Sequence, residues 1–126
     1  MTAQHMAVID ASTTEVLRRF NEVFLNHDPA PLAGLVAEDC VIENIQPAPD
    51  GARLVGQAAC MARWTEIATA PGTFFVLEDT IVMGERGVIL WRYHWGPERS
   101  SSVRGVNLMR VRDGRIVEAK GYVKGA

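Results

Sequence analysis

Residues 88–95 read Val88-Ile89-Leu90-Trp91-Arg92-Tyr93-His94-Trp95. The stretch alternates with period two, the pattern of a β-strand. One face carries Val88, Leu90, Arg92 and His94, and the other carries Ile89, Trp91, Tyr93 and Trp95. Both faces are largely apolar, so both should be covered. A guanidinium and an imidazole on a core-like face need partners or a polar pocket, because burying them unpaired is costly. This reading turns Arg92 and His94 inward, toward a pocket. The bland reading of the same residues is an ion-paired Arg and a hydrogen-bonded His at a strand end.

The strand's neighbours are legible on either side. Gly84-Glu85-Arg86-Gly87 turns the chain before it, after a strand over 73–83. Gly96 to Ser100 turns it again, and Ser102 to Val111 forms the next strand. Asp113-Gly114 is a tight hairpin signal, leading into a last strand over 115–123. The first half reads helical. Ser12-Thr13-Thr14-Glu15 has the capping-box pattern, followed by Val16, Leu17, Phe20, Val23 and Phe24 at helical spacing, so a helix is expected over about 13–26. A shorter helix is expected over Pro31 to Ala37, a short strand over Cys40 to Ile45, and a third helix over about Gly56 to Ala70. Helices first and an antiparallel meander afterwards make an α+β layout.

A chain of 126 residues, 48% hydrophobic and 22% charged, suits a single soluble domain over 1–126, with 1–11 a loose N-terminus. The net charge of −2, without a basic stripe, argues against nucleic acid as a partner. No apolar run approaches a membrane span, and the N-terminus lacks the pattern of a secretory signal. Cys40 and Cys60, outside any metal-ligand spacing, suit a reduced, cytoplasmic protein. Cys60, in an Ala-rich helical run, reads as packing more than as a nucleophile. No metal site or nucleotide loop is evident, and no cofactor is expected.

Alternation sorts the other strands. Val103, Gly105, Asn107, Met109 and Val111 share a face, as do Val117, Ala119, Gly121 and Val123, and Cys40, Ile42 and Asn44. If these apolar faces converge, Asn44, Arg92, His94 and Asn107 meet among Phe20, Phe24, Ile42, Trp64, Leu90, Met109 and Val117. A greasy cavity with a few convergent polar groups is the usual form of a small-molecule site. For each Asn the plain alternative is an amide satisfying loop backbone. Met109 and Trp64, taken alone, read as core. The opposite face, with Trp91, Tyr93, Trp95, Val106 and Leu108, then needs a cover, and a homodimer through the outer sheet face supplies it.

The order of elements resembles the nuclear transport factor 2-like superfamily, which includes ketosteroid isomerases, SnoaL-like cyclases and limonene epoxide hydrolase. The carriers are Leu25-Asn26-His27-Asp28, the run Leu35 to Asn44, and the run Gly105 to Glu118. The resemblance implies a cone-shaped, curved, mostly antiparallel sheet with three N-terminal helices on its concave face. It is weak for reaction, since the superfold hosts many activities and some pure binders. The isomerases' base Asp corresponds to Asn44, their phenolic donor to Phe20, and their second donor to Asn107. The epoxide hydrolases' Arg-x-Asp segment resembles Arg92-Tyr93-His94, their water-holding Asn resembles Asn44, Ile42 replaces their Tyr, and Gly121 falls where their base Asp would stand. By that resemblance, carboxylates needed for proton transfer are missing.

Two functions compete, with a third behind them. In the first, a SnoaL-like enzyme acts on a small, mostly apolar carbonyl or epoxide. His94 is its acid or base, Arg92 holds a developing negative oxygen, and Asn44, Asn107, Phe20, Ile42, Trp64, Leu90, Met109 and Gly121 bind the substrate. In the second, the same cavity is a non-catalytic binding site. A carboxylate beside His94 favours the enzyme, and its absence favours the binder. The third is a dimeric assembly domain whose cavity is incidental.

Overall fold

The protein is described by a computed structural model covering residues 2–125. Helix α1 spans Ala3–Leu25, a single 3₁₀ turn spans Ala30–Gly34, and helix α2 spans Gln57–Thr69. The strands are β1 (Val36–Glu43), β2 (Arg53–Val55), β3 (Phe74–Met83), β4 (Arg86–Trp95), β5 (Ser101–Arg112) and β6 (Arg115–Val123). They form one sheet in the order β2-β1-β6-β5-β4-β3, antiparallel throughout except where β1 runs parallel to β6. The α+β class and the antiparallel meander stand as expected. The expected three helices are two α-helices and the 3₁₀ turn, because Val36 already pairs with Ile116 in the sheet. Strand β2, between the expected strand ending at Ile45 and the expected helix from Gly56, has no counterpart in the sequence pattern; three residues are too few for periodicity to show.

The first helix begins ten residues earlier than the capping-box pattern suggests, so residues 3–11 are helix and not loose chain. Its cap is Thr2, whose hydroxyl accepts the His5 N–H at 3.1 Å. No Gly or Pro interrupts the run from Ala3, so nothing local stops it. The polar cluster read as a start signal has another task. The Thr13 hydroxyl donates to the Gly84 carbonyl at 2.7 Å, and the Asp10 carboxylate accepts the Gly84 N–H at 2.6 Å. These bonds fasten the middle of α1 to the β3–β4 turn. The helix ends where His27 takes a positive φ of 54° and the Asp28 N–H reaches back to the Val23 carbonyl, closing the last turn.

Between α1, α2 and one face of the sheet lies the core: Leu17, Val23, Leu32, Leu35, Val36, Cys40, Cys60, Met109 and Ile116 are all essentially inaccessible. Asp113 and Gly114 both adopt positive φ, 52° and 74°, as a two-residue turn with right-handed strand twist demands. None of the described helices is long and apolar enough to cross a membrane.

The two cysteines pack, as expected for Cys60. The Cys60 thiol donates to the Cys40 carbonyl at 3.4 Å, and burial pushes both thiols above their ordinary pKa. In Cys40 the neighbouring Cys60 and Asp39 add to that rise. Neither thiol should therefore react with Ellman's reagent at about pH 8 in the folded protein, and both should react once guanidinium unfolds it. An unfolded thiol ionises near about 8.5 and the folded ones above that, so the folded state keeps its protons longer. Stability is accordingly fully present below that pH and falls as pH rises past it. Rapid labelling of the native protein would contradict this packing.

Candidate active site: an aromatic cavity

A cavity of about 650 Å³ opens between the inner sheet face and the two helices. Strand registry decides which side chains enter it. Ile89 lies opposite Asn107, which lies opposite Gly121; Trp91 lies opposite Gly105, which lies opposite Val123; Tyr93 lies opposite Val103. Residues directly paired across strands share a face. The inner row of β4 is therefore Ile89, Trp91, Tyr93 and Trp95, and all four line the cavity.

This reverses the expected orientation of β4. Arg92, His94 and Leu90 point to the outer face and do not line the cavity. The Arg92 guanidinium donates to the Ser102 hydroxyl at 2.9 Å, and the His94 ring stacks on Phe74 with centroids 4.4 Å apart. Among the described residues His94 has no carboxylate partner. Arg104, on the same outer face, forms a two-pronged pair with Glu78 at 2.9 Å, which holds the Glu78 carboxyl below its usual range. The aromatic trio expected at a dimer face is likewise inside. The physical reason is that a shift of one residue exchanges the faces of a strand, and β4 is apolar enough on both to accept either. Met109, expected at the ligand, is fully buried in the core beneath the cavity floor.

Six of the expected ligand-contacting residues do line the cavity: Phe20, Ile42, Asn44, Trp64, Asn107 and Gly121. Seven of the chain's nine Phe, Trp and Tyr residues are in that wall. They form a continuous run of rings. Trp64 meets Phe20 edge-on at 4.8 Å, Phe20 meets Phe24 at 4.9 Å, Phe24 meets Phe75 at 5.6 Å, and Phe75 touches Trp91 and Tyr93 at 5.5 and 4.7 Å. Tyr93 stacks with Trp95 at 5.8 Å. Such edge-to-face and tilted pairs are favourable beyond their area, so the wall is stiff.

The Asn107 amide in this wall has a defined orientation. The indole N–H of Trp91 donates to the Asn107 side-chain oxygen at 3.2 Å. Indole nitrogen is a donor only, so the amide must turn its oxygen to Trp91. The NH₂ group of this cavity-lining residue has no partner among the described residues. Gly121, beside it, adds no side chain; a β-carbon there would stand 3.6 Å from the amide oxygen.

The sequence reading missed Arg63, Phe75, Trp91, Tyr93, Trp95 and Asn21 as wall residues. Arg63 had a local signal: it precedes Trp64 and lies one helical turn before Ile67, both in the same wall. The cavity contains no histidine among the described residues. Its one carboxylate-bearing residue among those described is Glu43, which follows Ile42 on β1 and lies across from Lys120 on β6. No cluster of His, Cys, Asp and Glu suited to a metal ion occurs among the described residues.

Comparisons with known proteins bear on this geometry. The model of the SnoaL-like domain family matches residues 17–119. No curated protein matches the chain. An NTF2-like protein of unknown function from Mesorhizobium loti is 61% identical, with 92% of this chain and 93% of that one covered and a TM-score of 0.87. A protein provisionally named a ketosteroid isomerase from Kribbella flavida is 19% identical, with 93% and 81% covered and a TM-score of 0.78. A provisionally named SnoaL-like polyketide cyclase from Jannaschia is 15% identical, with 92% and 85% covered and a TM-score of 0.74. At those two identities the likeness concerns the fold alone. From the family match over most of its length and the NTF2-like relative sharing well over half its residues, this chain belongs to the SnoaL-like domain family of NTF2-like proteins.

Proposed function

We propose that the chain binds a small, ring-bearing apolar molecule whose carbonyl-type oxygen accepts a hydrogen bond from Asn107. One observation carries this reading: a cavity walled by aromatic rings in which Trp91 occupies the Asn107 amide oxygen and leaves its NH₂ unpaired among the described residues. Flat apolar ligands gain most from such walls, and an amide N–H donor selects an oxygen acceptor.

The binding reading is preferred to acid–base catalysis on chemical grounds. A general base must lie within hydrogen-bond reach of the proton it removes. His94, the expected base, is stacked on Phe74 on the far side of the sheet, and no histidine lines the cavity among the described residues.

The test is a titration with prodan, a neutral naphthyl ketone whose emission shifts to the blue in apolar surroundings. We expect saturable binding of one molecule per chain. Asn107→Leu should weaken it about fivefold, the value of one neutral hydrogen bond, and His94→Ala should leave it unchanged. Absence of saturable binding would overturn the reading. A weakening by His94→Ala equal to that of Asn107→Leu would return His94 to the site.

A further inference from the structure

Arg63 stands in the cavity wall on α2, between the buried Trp64 and the next helical turn at Ile67. Its outer end is solvated and its Nη1 donates to Glu66 at 2.6 Å. Its Nε–H is different: that nitrogen is buried and has no acceptor among the described residues. A buried donor without an acceptor is unfavourable, and more so on a group that carries charge. Arginine cannot relieve the situation by losing a proton. The Glu66 carboxylate is 71% exposed, so its pairing with Arg63 is screened by water and leaves much of the positive charge uncompensated. Among the described residues Glu66 is the carboxylate paired with Arg63, and Glu43, in the cavity wall, is not paired with it.

Resting on the reading of this cavity as a ligand site, we infer that its ligand is an anion: a ring-bearing apolar body with an anionic oxygen, carboxylate-like, that accepts from Arg63. The ligand then has two polar anchors. Asn107 holds a neutral or partly charged oxygen deep between the strands, and Arg63 holds the anionic end on the helix side. Guanidinium is the natural partner for such an oxygen because its N–H groups are fixed in a plane and always charged. The arginine expected at a negative oxygen, Arg92, is thus replaced by one from a different element.

Two fluorescent probes with one skeleton isolate the charge. 1-Anilinonaphthalene-8-sulfonate carries an anionic group, and N-phenyl-1-naphthylamine is the same body without it. Their affinities are measured for the native protein, Arg63→Met and Arg63→Lys. Methionine keeps helix propensity and apolar bulk, so the fold is preserved. Arg63→Met should weaken the sulfonate probe about tenfold and change the neutral probe less than about twofold. Arg63→Lys should fall between, since it keeps the charge and loses the fixed N–H. Rising salt should weaken the sulfonate probe only. An equal loss of both probes would make Arg63 a packing residue and overturn the inference, as would unchanged sulfonate affinity. Binding of the neutral probe without charge discrimination sinks this inference alone; failure of both probes to bind the native protein sinks it together with the ligand-site reading.

Discussion

Gly105→Val is expected to lower stability by about 3 kcal/mol or more, near the upper end of overpacking costs, and with it the melting temperature by about 10 °C. A β-carbon at Gly105 would sit 2.5 Å from Cη2 and Cζ2 of Trp91 and 2.6 Å from the Tyr122 carbonyl oxygen. Neither neighbour gives way easily. The carbonyl is backbone in the paired strand β6, and the indole is held edge-on by Phe75 at 5.5 Å and by its bond to Asn107 at 3.2 Å. Valine adds two further methyl groups to a position that cannot accept one. Displacing Trp91 also frees the Asn107 amide to rotate, so ligand affinity should fall with stability. Denaturant unfolding measures the first effect and prodan titration the second. A melting temperature equal to that of the native protein would mean that the indole does not lie over Gly105.

Gly121→Leu should separate the two properties. Here a β-carbon meets Ile45 Cγ1 at 3.0 Å, Ile45 Cδ1 at 3.5 Å and the Asn107 side-chain oxygen at 3.6 Å. Ile45 is 37% exposed on the loop after β1, so the end of its side chain can move aside. The fold should survive with a melting temperature within about 3 °C of the native value. The isobutyl group, however, enters the cavity beside the Asn107 amide. Prodan binding should weaken about a hundredfold or vanish, a loss of about 3 kcal/mol. Retained affinity in a folded Gly121→Leu protein would place the ligand elsewhere. Paired with Gly105→Val, this variant distinguishes loss of a binding space from loss of the wall that shapes it.

The faces of three strands could be read directly from the chain, and the reason lies in their charges. On β5, Arg104 and Arg110 mark the outer row; on β6, Glu118 and Lys120 do; on β1, Glu43 does. Asn44, Asn107 and Gly121 were therefore placed on the inner side correctly. Strand β4 offers no such mark. Its outer row is Val88, Leu90, Arg92 and His94, and its inner row is Ile89, Trp91, Tyr93 and Trp95, so both rows contain apolar and polar side chains. The polar groups of the outer row find partners at the surface, in Ser102 and Phe74, without any pocket. One clue was available in the spacing of small residues: Gly105 and Gly121 leave volume on an apolar face, and only a bulky row opposite them can fill it.

Composition and period two by themselves determined that this is an α+β chain with an antiparallel meander, an apolar face on β1, β5 and β6, and two asparagines on it. Those features are local, because each strand carries its own contrast between charged and apolar rows. The direction in which β4 faces, the bond from Trp91 to Asn107, and the place of Arg63 in the wall were decided only by tertiary structure. Each depends on a residue far away in the chain: Asn107 opposite Ile89, Asn107 bonded to Trp91, and the sheet opposite α2. Where both faces of an element are equally willing to be buried, its neighbours across the sheet choose.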